Sequence, residues 1–258
     1  MSFIKYINNN FKMSEQRKRK PTTTPTPDVT GKPINKKDLI GQIIKRKTKE
    51  KFLTVNQKKY YDTLIESEIT ICSGPAGTGK SYISMKAAID LLSDPETPYE
   101  KIMIVRPAVE SSSSTLGSLP GDLREKMGPY VYSSLSLLHK IIGKENTEKL
   151  EQSGVLEIMS LSFLRGFNAD NMILILEESQ NSTPSEMKML LTRIGFNAKF
   201  FISGDIEQSD KFKKKELSGL YDAIKRLSDV KNIGIFEFNN DDVIRSPIIK
   251  IILQRYED

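Results

Sequence analysis

The run ITICSGPAGTGKSYISMKAA, residues 69–88, joins three pieces in a fixed order: a short apolar stretch, a glycine-rich turn and a helical pattern. Gly74, Pro75, Ala76, Gly77, Thr78, Gly79, Lys80 and Ser81 fill the pattern G-x-x-x-x-G-K-[ST] at every fixed position. Glycines at such a turn let backbone N–H groups point inward, where they can cradle phosphate oxygens at the positive end of the following helix. In that arrangement Lys80 bridges the β- and γ-phosphates and the Ser81 hydroxyl ligates Mg²⁺. The stretch therefore predicts a strand, a phosphate loop and a helix in succession, and with them a bound nucleoside triphosphate. Cys72, on the strand, reads as a small buried core residue.

Working outward, short apolar runs recur at 69–73, 101–105, 155–159, 172–176, 200–203 and 233–238. They are bounded by Gly, Asp or Ser, as strands are. Helical patterns fall between or after them at 80–92, 121–142, 184–193, 218–227 and 241–256. STPSEMKML marks one helix start clearly, with Thr183 as N-cap, Pro184 at the first position and Glu186 three residues after the cap. Continuous apolar strands alternating with helices predict a parallel sheet covered on both faces.

A second strand-end signal is LILEESQN, residues 174–181, where the apolar run stops at two glutamates. In phosphate-loop folds a second strand ends in an acid that holds Mg²⁺ beside the loop serine. Glu177 takes that metal role in this reading, and Glu178 orients or deprotonates an attacking water. Successive strand residues face opposite sides, so both serve one site only if the chain turns after Glu177. Two surface glutamates in a loop are the alternative. The next strand runs into SGDIEQSD, making Ser203, Asp205 and Gln208 candidates for sensing a γ-phosphate or holding water; a plain Gly-Asp turn is the alternative.

The 258 residues are enough to bury a full core, and no stretch approaches the length of a membrane span. One Cys and one His exclude an intramolecular disulfide and argue against a His/Cys metal site. The N-terminus lacks the apolar segment of a secretory signal, which points to a cytoplasmic protein. The net charge of +6 is unevenly placed: residues 1–51 carry 14 Lys/Arg against 4 Asp/Glu, and the remainder 25 against 29. Residues 1–51 thus read as a basic, unpacked tail, with RKRKPTTTPTPD at its centre and a short basic helix around 39–47. The tail either captures nucleic acid electrostatically or solubilises the chain. Residues 52–258 read as one domain.

Taken in order, GPAGTGKS, VRPAVE, LGSLPGDLREKMGPY, LILEESQN, SGDIEQSD and DDVIRSP resemble the PhoH family of P-loop ATPases over residues 53–258. That family is related to the first RecA-like domain of superfamily 1 helicases, is called phosphate-starvation-inducible in bacteria, and is common in phage genomes. The resemblance implies an α/β P-loop NTPase fold, Mg²⁺-dependent ATP hydrolysis, and a proposed role in remodelling RNA or single-stranded DNA. It also implies that Gln57 reads the adenine edge, with Tyr60 or Tyr61 stacking on the base. Asp205 and Gln208 match the helicase Gly-Asp-x-x-Gln sensor. Arg245 matches an arginine that reaches the γ-phosphate. Glu177 departs from the usual Asp and puts the rate of hydrolysis in question.

Helicases place ATP between two RecA-like domains, and this chain has room for one. The expectation is a ring-forming homo-oligomer, a hexamer, with Arg245 or Arg193 supplied in trans. The serine-rich segment 106–122 is either a phosphate-contacting loop or a connector, and KFKKKE at 211–216 either a basic patch or a solvated charge run. A P-loop kinase and a nucleotide-dependent switch with weak hydrolysis stay open as other functions.

Overall fold

A computed structural model describes residues 36–44, 52–107, 123–209, 212, 214, 217–244 and 255, with 123–130 as backbone alone. In chain order the elements are α1 (Lys36–Ile43), α2 (Val55–Glu66), β1 (Ile69–Ser73), α3 (Lys80–Ser93), β2 (Lys101–Arg106) and α4 (Leu123–Ile142). Then follow α5 (Lys144–Gln152), β3 (Leu156–Ser160), β4 (Met172–Leu176), α6 (Pro184–Leu191), β5 (Lys199–Gly204), α7 (Gly219–Leu227) and β6 (Ile233–Glu237).

The six strands form one sheet in the order β3-β2-β4-β5-β1-β6, every neighbouring pair parallel. The central strands β1, β4 and β5 are buried along their whole length, which is why they read as unbroken apolar runs. Alternation survives inside those runs. Cys72, Ile173, Ile175 and Phe201 enter one core with residues of α1 to α5, while Ile71, Leu174, Leu176, Phe200 and Ile202 enter the other with α6 and α7. Only β5 separates the phosphate-loop strand from the acidic strand. At the usual spacing between strands their tips lie about 10 Å apart, room for a triphosphate between them.

The α6 start is a full capping box: Glu186 N–H donates to Thr183 Oγ1, and Glu186 Oε2 accepts from Thr183 N–H. Three expectations need correction. Residues 36–44, read as unpacked tail with a short helix around 39–47, form α1 and its exit: a helix is present but begins at Lys36, and Ile40, Ile43 and Ile44 are buried against α3 and α5. The apolar side of α1 explains this, with Lys37 Nζ bonded to Asp94 O and Thr97 Oγ1. Helix α5 was not expected because KENTEKLEQ offers only Leu150 as a buried apolar residue. The helix expected at 241–256 does not begin there: Asn240–Asp242 is a single 3-10 turn closed by Asn239 and Asp242. Residues 245–254 lie outside the described residues, as do 1–35 and 45–51 of the expected tail. Among the described residues no helix is long and apolar enough to cross a membrane.

Candidate functional site at the phosphate loop

The loop leaves β1 at Gly74, which has φ +152°. A Cβ there would stand 2.6 Å from Phe238 Cβ, so the absence of a side chain is what lets the exit from β6 cross beneath the loop. Gly74 N–H donates to Gly204 O at 3.2 Å, tying the loop to the tip of β5. Gly79 begins α3 in the left-handed region at φ +91°, and a Cβ there would meet Gln57 Nε2 at 2.7 Å. The helix thus opens with its N-terminus facing the loop, the arrangement an anion requires. Lys80 Nζ donates to Gly74 O (2.6 Å) and Pro75 O (2.9 Å), folded over the loop carbonyls. Burial pulls the Lys80 pKa below that of an ordinary lysine, opposed by the negative groups Asp205 and Glu178 facing it and by Cys72.

A cleft of about 280 Å³ opens over this loop. It is lined by Ala76, Gly77, Gly79, Lys80, Ser81 and Tyr82 of the loop and α3, by Glu178, Ser203, Gly204, Asp205 and Gln208 at and beyond the ends of β4 and β5, and by Leu137 of α4. Residues from the tips of β1, β4 and β5 therefore converge as the sequence leads one to expect. Pro75 and Thr78 support the loop from behind, where Thr78 Oγ1 donates to Pro75 O.

The two glutamates separate. The chain turns at Glu178, whose backbone lies in the left-handed region (φ 54°, ψ 36°), unusual for a residue with a side chain. The turn exposes Glu178 to the cleft. Its Oε2 accepts from Gln180 Nε2 at 2.8 Å. The same buried glutamine accepts the Asp205 N–H on its Oε1 (3.1 Å) and donates to Gln208 O (3.3 Å). One amide thus joins the acid to the Gly-Asp-x-x-Gln segment. Glu177 is instead buried, at 1% exposure, and does not line the cleft. Arg106 gives its Oε2 two hydrogen bonds, from Nε (3.1 Å) and from a terminal nitrogen (2.8 Å), and Ser134 Oγ gives a third at 2.9 Å. Its Oε1 is buried with no hydrogen-bond partner among the described residues.

That bare oxygen bears on Mg²⁺. A buried acceptor without a donor fits a cation or cation-bound water, and Ser81 and Glu178, the residue next to Glu177, line the cleft. Among the described residues no cluster of three His, Cys, Asp or Glu is present.

Other expected site residues are placed differently. Gln57 is 4% exposed, and both ends of its amide are engaged: Nε2 donates to Thr78 O (2.9 Å), and Oε1 accepts from Leu53 N–H (2.8 Å). It braces the phosphate loop rather than facing a base. Tyr60 is fully buried against Phe236 and Phe238, with its hydroxyl bonded to Ser84 Oγ. Tyr61 is held by Asp90 and packs on Phe52. Neither can stack on adenine without leaving these contacts. Tyr82, which sequence reading passed over, is the aromatic ring that lines the cleft. Arg193 Nε donates to Met189 O, and its carbonyl accepts from Ala169 N–H just before β4, at the opposite end of the parallel strands from the loop. Arg245 lies outside the described residues, as do most of 106–122 and 211–216. Just before Arg245, Ile244 N–H donates to Gly77 O, and Asn56 Nδ2 donates to both Asp242 oxygens. The chain after β6 is therefore strapped to the loop. Cys72 lies in the core as expected, and burial pushes its thiol up to about 12.

The chain is similar in sequence to several known proteins. The PhoH-like protein of Bacillus subtilis is 39% identical over 204 residues, covering 79% of this chain and 63% of that protein. Protein PhoH of Escherichia coli is 32% identical over 202 residues, covering 78% of this chain and 56% of that one. The chain thus spans about three fifths of the length of these relatives. Among solved structures, the UvsW helicase from bacteriophage T4 aligns over 81% of this chain and 68% of its own, at 13% identity and a TM-score of 0.45. Bacteroides Pif1 bound to single-stranded DNA aligns over 80% and 46%, at 14% identity and a TM-score of 0.34. A family model described as PhoH-like protein matches residues 50–257, and with these relatives it shows that the chain belongs to the PhoH-like family.

Proposed function

We propose that this protein is a Mg²⁺-dependent ATPase that couples hydrolysis to the binding or remodelling of RNA or single-stranded DNA. One observation carries the ATPase reading: Lys80, Ser81, Glu178, Asp205 and Gln208 line a single cleft built from three strand tips. Loop amides and the α3 N-terminus bind the phosphates, and Lys80 swings from its carbonyl contacts to the β- and γ-oxygens. Ser81 and Glu177 are the chain's own residues toward Mg²⁺, which when bound neutralises charge on the β- and γ-phosphates. Glu178 accepts the proton of the attacking water, held in its conformation by Gln180. Asp205 and Gln208, joined to the same amide, sense whether a γ-phosphate is present.

The stabilising arginine comes from a neighbouring copy in a ring, a hexamer, with Arg245 as first candidate and Arg193 as second. Such an arginine accounts for about 10³–10⁵ in rate in related chemistry. The working compartment is the cytoplasm, the host's if the chain is from a phage. The test is phosphate release from ATP with Mg²⁺, alone and with RNA, single-stranded DNA or duplex. Release stimulated by one nucleic acid is expected. Release that none of them changes defeats the coupling, transfer to a non-water acceptor favours a kinase, and tight binding without release favours a switch.

A further inference from the structure

We propose that Arg106 and Ser134 are positioning residues that clamp one oxygen of Glu177 and thereby reserve the other for the metal of the nucleotide site, a reading that rests on the Mg²⁺ role given to Glu177 above. The clamp is built from three elements: the tip of β2, the middle of α4 and the residue after β4. Arg106, Ser134 and Glu177 are 9%, 0% and 1% exposed. Backbone geometry fixes the register, because Glu177 N–H donates to Val105 O at 3.0 Å beside the Val105–Leu176 pair. The guanidinium does not span the carboxylate oxygen by oxygen, as a side-on pair does. Nε and a terminal nitrogen both reach Oε2, where the Ser134 hydroxyl also donates. All three donors therefore crowd one oxygen, and Oε1 is left buried and bare among the described residues. A pair that served only to neutralise charge in the core has no reason to leave that oxygen without a donor.

This geometry also makes the length of the Glu177 side chain matter. Shortening the side chain by one methylene draws the carboxylate back by up to about 1.5 Å, one carbon–carbon bond. An aspartate fixed at the same backbone position cannot keep its clamped oxygen on Arg106 and Ser134 while holding the other in place. Glu177→Asp is therefore expected to impair the site. Lysine is no substitute for Arg106, since a single ammonium lacks the fixed fork that sends two N–H groups to one oxygen.

The test uses the full chain with a fluorescent ATP analogue and Mn²⁺ as probe. Metal affinity of the nucleotide complex is read by paramagnetic resonance, and nucleotide affinity is read separately in EDTA. Ligands are oriented by their outer partners, whose loss typically weakens metal binding about 10–100-fold. Arg106→Lys and Glu177→Asp are expected to weaken Mn²⁺ binding about tenfold or more, and Ser134→Ala about threefold. Affinity in EDTA should stay within about twofold in all three, a split that a merely destabilised fold does not produce. Glu177→Gln separates the two layers. If it weakens Mn²⁺ binding while Arg106→Lys and Ser134→Ala leave it unchanged, the clamp is wrong and the metal role stands. If Glu177→Gln leaves Mn²⁺ binding unchanged, the metal role itself is wrong and the clamp falls with it. Should Arg106→Lys fail to fold, Ser134→Ala decides alone, because it removes one hydroxyl and leaves the ion pair in place.

Discussion

Replacing Gln180 with Met keeps the volume of the side chain and removes its amide. Three hydrogen bonds go with it: the donor to Glu178, the donor to Gln208 O, and the acceptor for the Asp205 N–H. Asp205 is 8% exposed, so its N–H loses its partner away from water, at about 1–3 kcal/mol of stability. Catalysis loses something different. A hydrogen bond to a charged group contributes about 1.5–3 kcal/mol, and here it holds Glu178 in a left-handed conformation that nothing in its own side chain favours. If that contribution is realised in the transition state, kcat falls about 10–100-fold, at one decade for each 1.36 kcal/mol. KM should move by less than about threefold, because Lys80, Ser81 and the loop amides are untouched. Steady-state phosphate release gives kcat and KM, and urea unfolding gives the stability loss. A Gln180→Met protein that loses stability as stated yet keeps kcat within twofold would show that the amide only packs the β5 turn, and that Glu178 needs no fixing. Gln180→Glu tests the same link by charge: a carboxylate against Glu178 repels it, so its kcat should fall at least as far.

Other outcomes follow from the same contacts. Gly79→Ala meets Gln57 Nε2 at 2.7 Å and strains a φ of +91°, so it should destabilise by about 1–3 kcal/mol and weaken nucleotide binding, measured by urea titration and by a fluorescent analogue. Tyr60→Phe loses the bond to Ser84 and about 1 kcal/mol of stability but leaves nucleotide affinity unchanged; a marked loss of affinity would return Tyr60 to the base. Tyr82→Ala removes the ring that lines the cleft, and if that ring carries the base, affinity for ATP drops about tenfold while affinity for triphosphate alone does not. The Cys72 thiol is pushed from 9.0 to about 12 in the folded chain, so the unfolded chain ionises first as pH rises. Stability from this group is whole below about pH 9 and is lost between there and about 12, so the urea midpoint should fall between pH 8 and 9.5 more steeply in the wild type than in Cys72→Ala.

What the sequence showed well was local. The phosphate loop, the strands on either side of it and the capped start of α6 each declare themselves within about ten residues, through glycine placement, apolar runs or a capping box. α5 escaped because its helix is held by neighbours rather than by its own apolar stripe, and KENTEKLEQ looks solvated until Leu150 is seen buried under it. The 241–256 pattern misled in the opposite direction. Asp242 is spent on Asn56 and the Asn239 N–H, and Ile244 N–H on Gly77 O, so residues 241–244 are ordered by contacts with α2 and the loop instead of opening a helix. Gln57, Tyr60 and Tyr61 lay at the right place along the chain, but their partners at Thr78, Ser84 and Asp90 fixed their side chains otherwise.

The rank of the two glutamates shows why position alone was insufficient. Sequence spacing puts Glu177 and Glu178 one residue apart, and strand geometry says only that they face opposite ways. Which faces the cleft depends on a turn at Glu178 and on Arg106, 71 residues upstream, meeting Glu177 at the end of a neighbouring strand. Two glutamines do similar work across the site. Gln57 joins α2 to the phosphate loop, and Gln180 joins β4 to β5. A neutral amide suits both places because it donates and accepts at once and adds no charge where Lys80, Glu178 and Asp205 already set the field. Substituting either glutamine should therefore disturb the coupling between loop and acid before it disturbs the affinity of the loop for phosphate. The two together, joined to separate strands, should multiply in kcat if they act independently and fall short of the product if they brace one unit.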